Sequence, residues 1–276
     1  MYKLLPSNPL QKIPKIRLYL DKNFSDKNHN SKNFVDLKII NSQLEIANND
    51  FDYLVKVMRQ KIGDEIMIFN GFDGDFIAKI IDIQKKSLTL EIVEKIADLR
   101  KSPNITLAFA PVKNVRIDFV ASKASELGVR NFQPIITHRT IVDKINEERF
   151  KANIKEACEQ CGRNDFPKIF AIKKLDNFLK ENLENKILIL CDESGNGKKA
   201  SEIFSKILPK NDQEIIIFIG PEGGFSKEEL AKFYSLKNCF LLNLGPRILR
   251  ADTAIISALT LVQEFLGDFN LKANFS

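Results

Sequence analysis

Residues Ile215-Ile216-Ile217-Phe218-Ile219 form an unbroken apolar run that stops at Gly220-Pro221-Glu222-Gly223-Gly224-Phe225-Ser226. A run this short and this apolar fits a strand covered on both faces, not one with a wet side. Proline and glycine then end the ladder. Ser226 followed by Glu229 spells a helix start closed by a capping box. Strand, rigid turn and helix are the parts from which parallel α/β sheets are built. The turn holds more glycine than a strand-to-helix connection needs, so it predicts a loop whose backbone a ligand approaches closely. It is not a dinucleotide fingerprint, because the G-x-G-x-x-G spacing is absent.

The alternation continues on either side. Apolar runs begin near Ile105, Phe132, Lys168, Ile187, Ile215 and Cys239. Helical patterns lie near 114–127, 147–161, 174–182, 199–207, 226–236 and 251–267. An α/β domain with a parallel sheet is expected. The strand near Cys239 leads into a second Gly-Pro loop, Leu244-Gly245-Pro246-Arg247-Ile248-Leu249-Arg250. Ligands of open α/β sheets bind outside the carboxyl ends of strands, so the two loops are expected to wall one pocket. Arg247 and Arg250 bring cations to a helix start, where they oppose the dipole. Such a placement points to function.

The first hundred residues read differently. Asp64–Phe69, Phe76–Ile83 and Leu88–Val93 are strand-like, joined by Asn70-Gly71-Phe72-Asp73-Gly74 and by Gln84–Ser87. A short helix is expected before them, capped by Asn49, with Phe51, Leu54, Val55 and Met58 on one face. A small antiparallel barrel fits this pattern. The polar stretch Asp98–Asn104 marks a boundary. The expected organisation is an irregular extension over 1–11, a barrel over 12–97 and the α/β domain over 98–276, with a polar loop at Asp21–Lys32.

Composition narrows the function classes. With 44% hydrophobic and 28% charged residues the chain is not wholly disordered, collagenous or membrane-embedded. Its apolar runs fall far short of the ~18 residues that span a bilayer. The N-terminal residues lack the apolar core of a secretory signal, so a cytoplasmic protein is expected. Lys and Arg exceed Asp and Glu by 42 − 36 = +6. The segment Lys113–Lys174 alone carries 13 basic and 8 acidic residues. That excess hints at a polyanion such as RNA, although a general richness in Lys is the commoner reason for it.

Other motifs weigh less. Cys158-Glu159-Gln160-Cys161 has C-x-x-C spacing, but Cys191 and Cys239 are single and the histidines are only His29 and His138. No metal is expected; helical cysteines three apart are commonly buried. Ser194–Lys199 lacks the spacing of a phosphate loop. His138 beside Arg139 reads as structural, and no Ser/His/Asp constellation is present.

Several segments together resemble the RsmE-type 16S ribosomal RNA uridine-N3 methyltransferases of the SPOUT superfamily. They are Ile219–Gly224, Leu244–Arg250 continuing to Ala254, Ala157–Asn164, Lys123–Val129, Tyr53–Arg59 and Phe69–Gly71. The resemblance implies a PUA-like β-barrel followed by a SPOUT-type knotted parallel-sheet domain, and a homodimer. It implies S-adenosylmethionine as methyl donor and the 16S rRNA of the small subunit as substrate. The donor is expected against Ile219, Gly220, Pro221, Glu222, Gly223, Gly224, Leu244, Gly245, Ile248 and Leu249. Arg250, with Arg247 as alternative, is expected to stabilise charge on the base. Arg59, Lys123, Glu159, Gln160, Arg163 and Asn164 are expected to hold RNA. Ala251-Asp252 stands where the family usually has Thr-Glu. Two other classes compete: a non-catalytic RNA-binding or ribosome-assembly factor on the same fold, and a nucleotide-binding α/β enzyme unrelated to RNA. Tight ATP or NAD binding without donor binding would mark the latter.

Overall fold

The computed structural model describes residues 14–21, 40–111, 114–192 and 195–271. The extension 1–11 and nearly all of the polar loop before Lys32 lie outside them. Two compact units emerge. One takes the described residues up to Lys101 together with Cys158–Phe166; the other takes Ser102–Ala157 and those from Pro167 onward.

The first unit holds β1 (Arg17–Tyr19), β2 (Gln43–Ala47), α1 (Asn48–Phe51), β3 (Glu65–Phe69), β4 (Asp75–Ile83) and β5 (Ser87–Ala97). The strands form a five-stranded sheet in the order β1-β3-β4-β5-β2. All its pairs are antiparallel except β1 with β3, where Arg17 faces Met67 and Tyr19 faces Phe69 in parallel. The expected antiparallel barrel is therefore a mixed half-barrel. A strand that no hairpin ties to its neighbour is free to run alongside it in parallel. Leu18, Ile46, Leu54, Ile68, Phe76 and Leu90 fill its core.

The short helix departs from expectation in two ways. Its N-cap is Ala47, without a side-chain bond, so Asn49 does not cap it. It then widens into a π-helical turn over Asp52–Val57, with Met58 N donating to Tyr53 O at 2.9 Å. The wider turn breaks the 3.6-residue period. Phe51 and Leu54 stay buried, while Met58 rotates out to 36% exposure.

The second unit holds β6 (Ile105–Phe109), α2 (Asn114–Glu126), β7 (Asn131–Ile136), β8 (Lys168–Ile169), β9 (Lys173–Lys174) and α4 (Leu175–Leu179). It continues through β10 (Ile187–Cys191), α5 (Ala200–Phe204), β11 (Ile215–Ile219), α6 (Lys227–Tyr234), β12 (Cys239–Leu242) and α7 (Ala251–Leu266). Helix α3 (Glu147–Cys161) also begins here, its last residues counting with the first unit. The strands run in the order β12-β10-β11-β6-β7-β8, with β9 on β7, and every pair is parallel.

Aromatic side chains show both faces covered. Phe109 of β6 stacks on Phe150 of α3 at 6.1 Å. Phe218 of β11 meets Phe178 of α4 at 5.9 Å and Phe233 of α6 at 4.9 Å. Every residue of β6 and β11 is buried, as an unbroken apolar run requires. Helix α7 buries Ala251, Ile255, Ala258, Leu259 and Val262, a single stripe at helical spacing. Among the described residues, no helix is long and apolar enough to cross a membrane.

Candidate functional site

Three loops leave the carboxyl ends of the adjacent strands β10, β11 and β12. After β11, Gly224 N donates to Pro221 O at 2.8 Å, closing a turn with Gly224 at φ +67°. Few side chains tolerate that angle. Phe225 folds back beneath the turn: a Cβ on Gly220 would lie 3.0 Å from its ring. Ser226 then caps α6, with Glu229 N donating to Ser226 Oγ and Ser226 N donating to Glu229 Oε2, the expected capping box. After β12, Gly245 N donates to Asn243 Oδ1 at 2.7 Å. The segment after β10 runs alongside that loop, with Lys198 N donating to Leu241 O and Asn243 N donating to Lys198 O, both at 2.9 Å. A Cβ on Gly197 would lie 2.8 Å from Asn243 N. The glycine serves this strand-like contact.

The loops enclose a cavity of about 260 Å³. Ile219, Gly220, Pro221, Glu222, Gly224, Leu244, Gly245 and Leu249 line it, as does Arg247. Gly223 and Ile248, expected in the same wall, do not. The Gly223 carbonyl accepts a bond from Arg139 Nη1 at 2.6 Å, and Ile248 is 86% exposed. Arg250 is not in the wall either; it is the exposed N-cap of α7. Sequence reasoning missed Cys191, Asp192, Phe225, Leu230, Leu242, Ala251 and Ala254. Asp192 directly follows β10, so the strand-end rule that selected the other two loops would have found it.

The wall is apolar with a few convergent polar groups, the usual makeup of a small-molecule site. Asp192 is buried, and Tyr234 Oη donates to its Oδ2 at 2.9 Å. Burial pushes the Cys191 thiol well above its ordinary range, so it stays protonated. The exposed Arg247 guanidinium supplies the opposite charge. Outside the lining residues, Glu229 Oε1 accepts from His138 N at 2.8 Å, joining the turn after β7 to the N-terminus of α6.

Of the residues expected to hold RNA, Lys123 belongs to the second unit and Arg59, Glu159, Gln160, Arg163 and Asn164 to the first. Arg163 and Asn164 belong to a buried network of the first unit. Arg163 Nε and Nη2 donate to the two oxygens of Asp165, each at 2.9 Å. Asn164 Nδ2 donates to Asp75 Oδ2 at 2.8 Å and to Asp98 O at 3.0 Å, and its Oδ1 accepts from Arg100 N at 2.9 Å. Arg17 completes the network on Asp75 Oδ1 at 2.5 Å. Burial pushes the Asp75 carboxyl up, and Arg17 and Asn164 pull it back. The two residues read as surface groups from their polarity, but their partners consume them. Glu159 accepts from Tyr19 N at 2.9 Å, and Lys123 pairs with Glu126 at 2.7 Å. Gln160 and Arg59 are exposed, Arg59 at φ +55°.

Residues 100–263 match the model of an RNA methyltransferase domain, and residues 46–93 that of an RNA methyltransferase PUA domain. The ribosomal RNA small subunit methyltransferase E of Rickettsia conorii is 34% identical over 81% of this chain and 90% of its own length. The protein of the same name from Buchnera aphidicola is also 34% identical, over 81% of this chain and 88% of its own. Among solved structures, a methyltransferase of Legionella pneumophila in complex with bound SAM superposes with TM-score 0.76 at 32% identity, covering 92% of this chain and 99% of that one. Ribosomal RNA small subunit methyltransferase E of Neisseria gonorrhoeae, bound to S-adenosyl methionine, superposes with TM-score 0.75 at 28% identity, covering 94% and 100%.

Proposed function

Because the chain belongs to the RNA methyltransferase family, carrying both its methyltransferase and its PUA domain, we propose that it methylates N3 of a uridine in the ribosomal RNA of the small subunit. S-adenosylmethionine is the donor. The observation that carries this reading is the cavity at the carboxyl ends of β10, β11 and β12, walled by glycine backbone. Its residues fit the donor's chemistry. Ile219, Leu244, Leu249 and Phe225 offer apolar surface for a nucleoside, and Gly220, Gly224 and Gly245 open the backbone to it. Asp192 and Glu222 bring acidic residues to the lining, opposite in charge to the donor's sulfonium.

The donor supplies an electrophilic methyl group on a sulfonium. The protein's part is to hold the two reactants in line and to stabilise the charge that develops. Uridine N3 becomes a good nucleophile only on losing its imide proton, which leaves negative charge on the base. Arg247, in the cavity wall, holds that charge through its guanidinium. Arg250 is the N-cap of α7, its carbonyl accepting the helix's first bond from Ala254 N at 2.8 Å. Its side chain remains the alternative for the base. The base must leave any stack to reach the cavity.

In this reading residues 12–97 hold RNA, residues 98–276 carry the transfer, and residues 1–11 extend the first part. The working form is a cytoplasmic homodimer acting on the assembled small subunit. The exposed Phe265 and the half-buried Ile256 and Leu261 of α7 support a self-association face. The decisive measurement is nucleoside mass spectrometry of small-subunit RNA from cells lacking the gene, with and without its return. Loss and recovery of N3-methyluridine is expected. An unchanged nucleoside profile rejects the substrate. Light scattering that returns a monomer mass at micromolar concentration rejects the dimer.

A further inference from the structure

Arg139 is not among the cavity's lining residues, yet its side chain ends on the loop after β11. Nη1 donates to the Gly223 carbonyl at 2.6 Å. Its alkyl stem runs past the same residue: a Cβ on Gly223 would lie 3.5 Å from Arg139 Cδ and 3.7 Å from its Cβ. The turn that presents Arg139 is itself tied down. Thr137 N donates to Thr140 Oγ1 at 2.8 Å, the two hydroxyls bond at 2.9 Å, and Thr140 N donates to Thr137 O at 3.2 Å. Next to it, His138 N donates to Glu229 Oε1, whose Oε2 accepts from Ser226 N, each at 2.8 Å. The turn after β7 is thus fastened to both ends of Gly223–Ser226, although β6 separates β7 from β11 in the sheet.

The carbonyl of Gly223 and the N–H of Gly224 belong to one planar peptide unit. Arg139 holds the carbonyl edge, and Pro221 O holds the N–H edge at 2.8 Å. That unit leads directly into the cavity wall at Gly224. Without the cation, a glycine pair has ample freedom to rotate it. We infer that Arg139 is a positioning residue for the methyl donor, pinning the Gly223–Gly224 peptide so that the cavity wall is formed before the donor arrives. Preformed sites bind tighter because less ordering remains to be done. The inference rests on the reading of the cavity as the donor site.

Calorimetric titration of the full chain with S-adenosylmethionine tests it, comparing wild type, Arg139→Ala, Arg139→Lys and His138→Ala. Arg139→Ala is expected to weaken binding roughly tenfold, the worth of one charge-assisted hydrogen bond. Arg139→Lys restores most of it, because a single carbonyl needs one cationic donor and no fork. His138→Ala leaves affinity unchanged, since His138 contributes its backbone N–H. In turnover assays Arg139→Ala raises KM for the donor while kcat at saturation holds. If Arg139→Ala melts early, Arg139→Met keeps the alkyl stem, removes the donors and carries the same expectation. Wild-type protein that binds no donor overturns the donor-site reading, and the inference with it. Wild-type protein that binds normally, beside an Arg139→Ala variant within twofold of it, overturns the inference alone.

Discussion

Burial pushes the thiols of Cys158 and Cys239 up to about 12, and that of Cys191 higher still. An unfolded thiol ionises near pH 9. Between those values the folded chain keeps protons that the unfolded chain has lost, so stability falls as pH rises. The contribution is whole below pH 9 and drains away by about 1.4 kcal/mol per pH unit for each thiol above it. Denaturant midpoints measured from pH 8 to pH 10.5 should therefore decline steeply beyond pH 9; a level profile would remove the thiols as its cause. The paired glycines of the loop after β11 separate just as clearly. Gly224 sits at φ +67° in the cavity wall, while Gly223 carries no positive φ and would meet only ordinary contact at 3.5 Å. Gly224→Val is expected to cost ~1–2 kcal/mol in strain and to lower donor affinity. Gly223→Ala should be close to neutral. Urea titration and calorimetry of the two variants decide it, and equal behaviour would refute the distinction.

Among the elements, α6 has the best-defined start. Ser226→Ala removes one half of a capping box and should destabilise by about 1 kcal/mol, read from the urea midpoint at constant slope. A larger loss is expected for Glu229→Ala, because that carboxylate also accepts from His138 N. If Glu229→Ala costs no more than Ser226→Ala, the link between the two loops contributes nothing. This capping box was legible because its partners are three residues apart. So were the buried strands, whose unbroken apolar runs have few alternatives. The two-residue strand β9 was not, because Lys173-Lys174 pairs through backbone alone. Nor was the π-helical turn, since periodicity arguments assume the ordinary helix. The misreading of Arg163 and Asn164 has a deeper source. A polar side chain announces itself in sequence, but a buried partner 89 residues away, as Asp75 is to Asn164, does not. Two of the three cavity loops showed because each packs glycine and proline behind a strand. Asp192, after a strand whose loop has glycine but no proline, went unseen.

Taken whole, the chain carries a net charge of +6, so RNA binding should rest largely on phosphate contacts. Affinity for small-subunit RNA is then expected to drop by orders of magnitude between 50 and 200 mM salt, as counterions return to the phosphates. A flat response in a filter-binding titration would show that shape and base contacts dominate instead. Arg163 contributes nothing to that surface, being spent on Asp165. The half-barrel's strands and Asp75 emerge early during synthesis, but residues Cys158–Phe166, which belong to the same unit, emerge late. At typical elongation rates Asp75 waits roughly 5–18 s for Asn164 to be made. Until then Arg17 and Asp75 face each other in a core that lacks its remaining partners. Stalling translation near Lys101 should therefore yield a nascent barrel that is loosely sealed and readily cleaved by protease, and release past Phe166 should harden it.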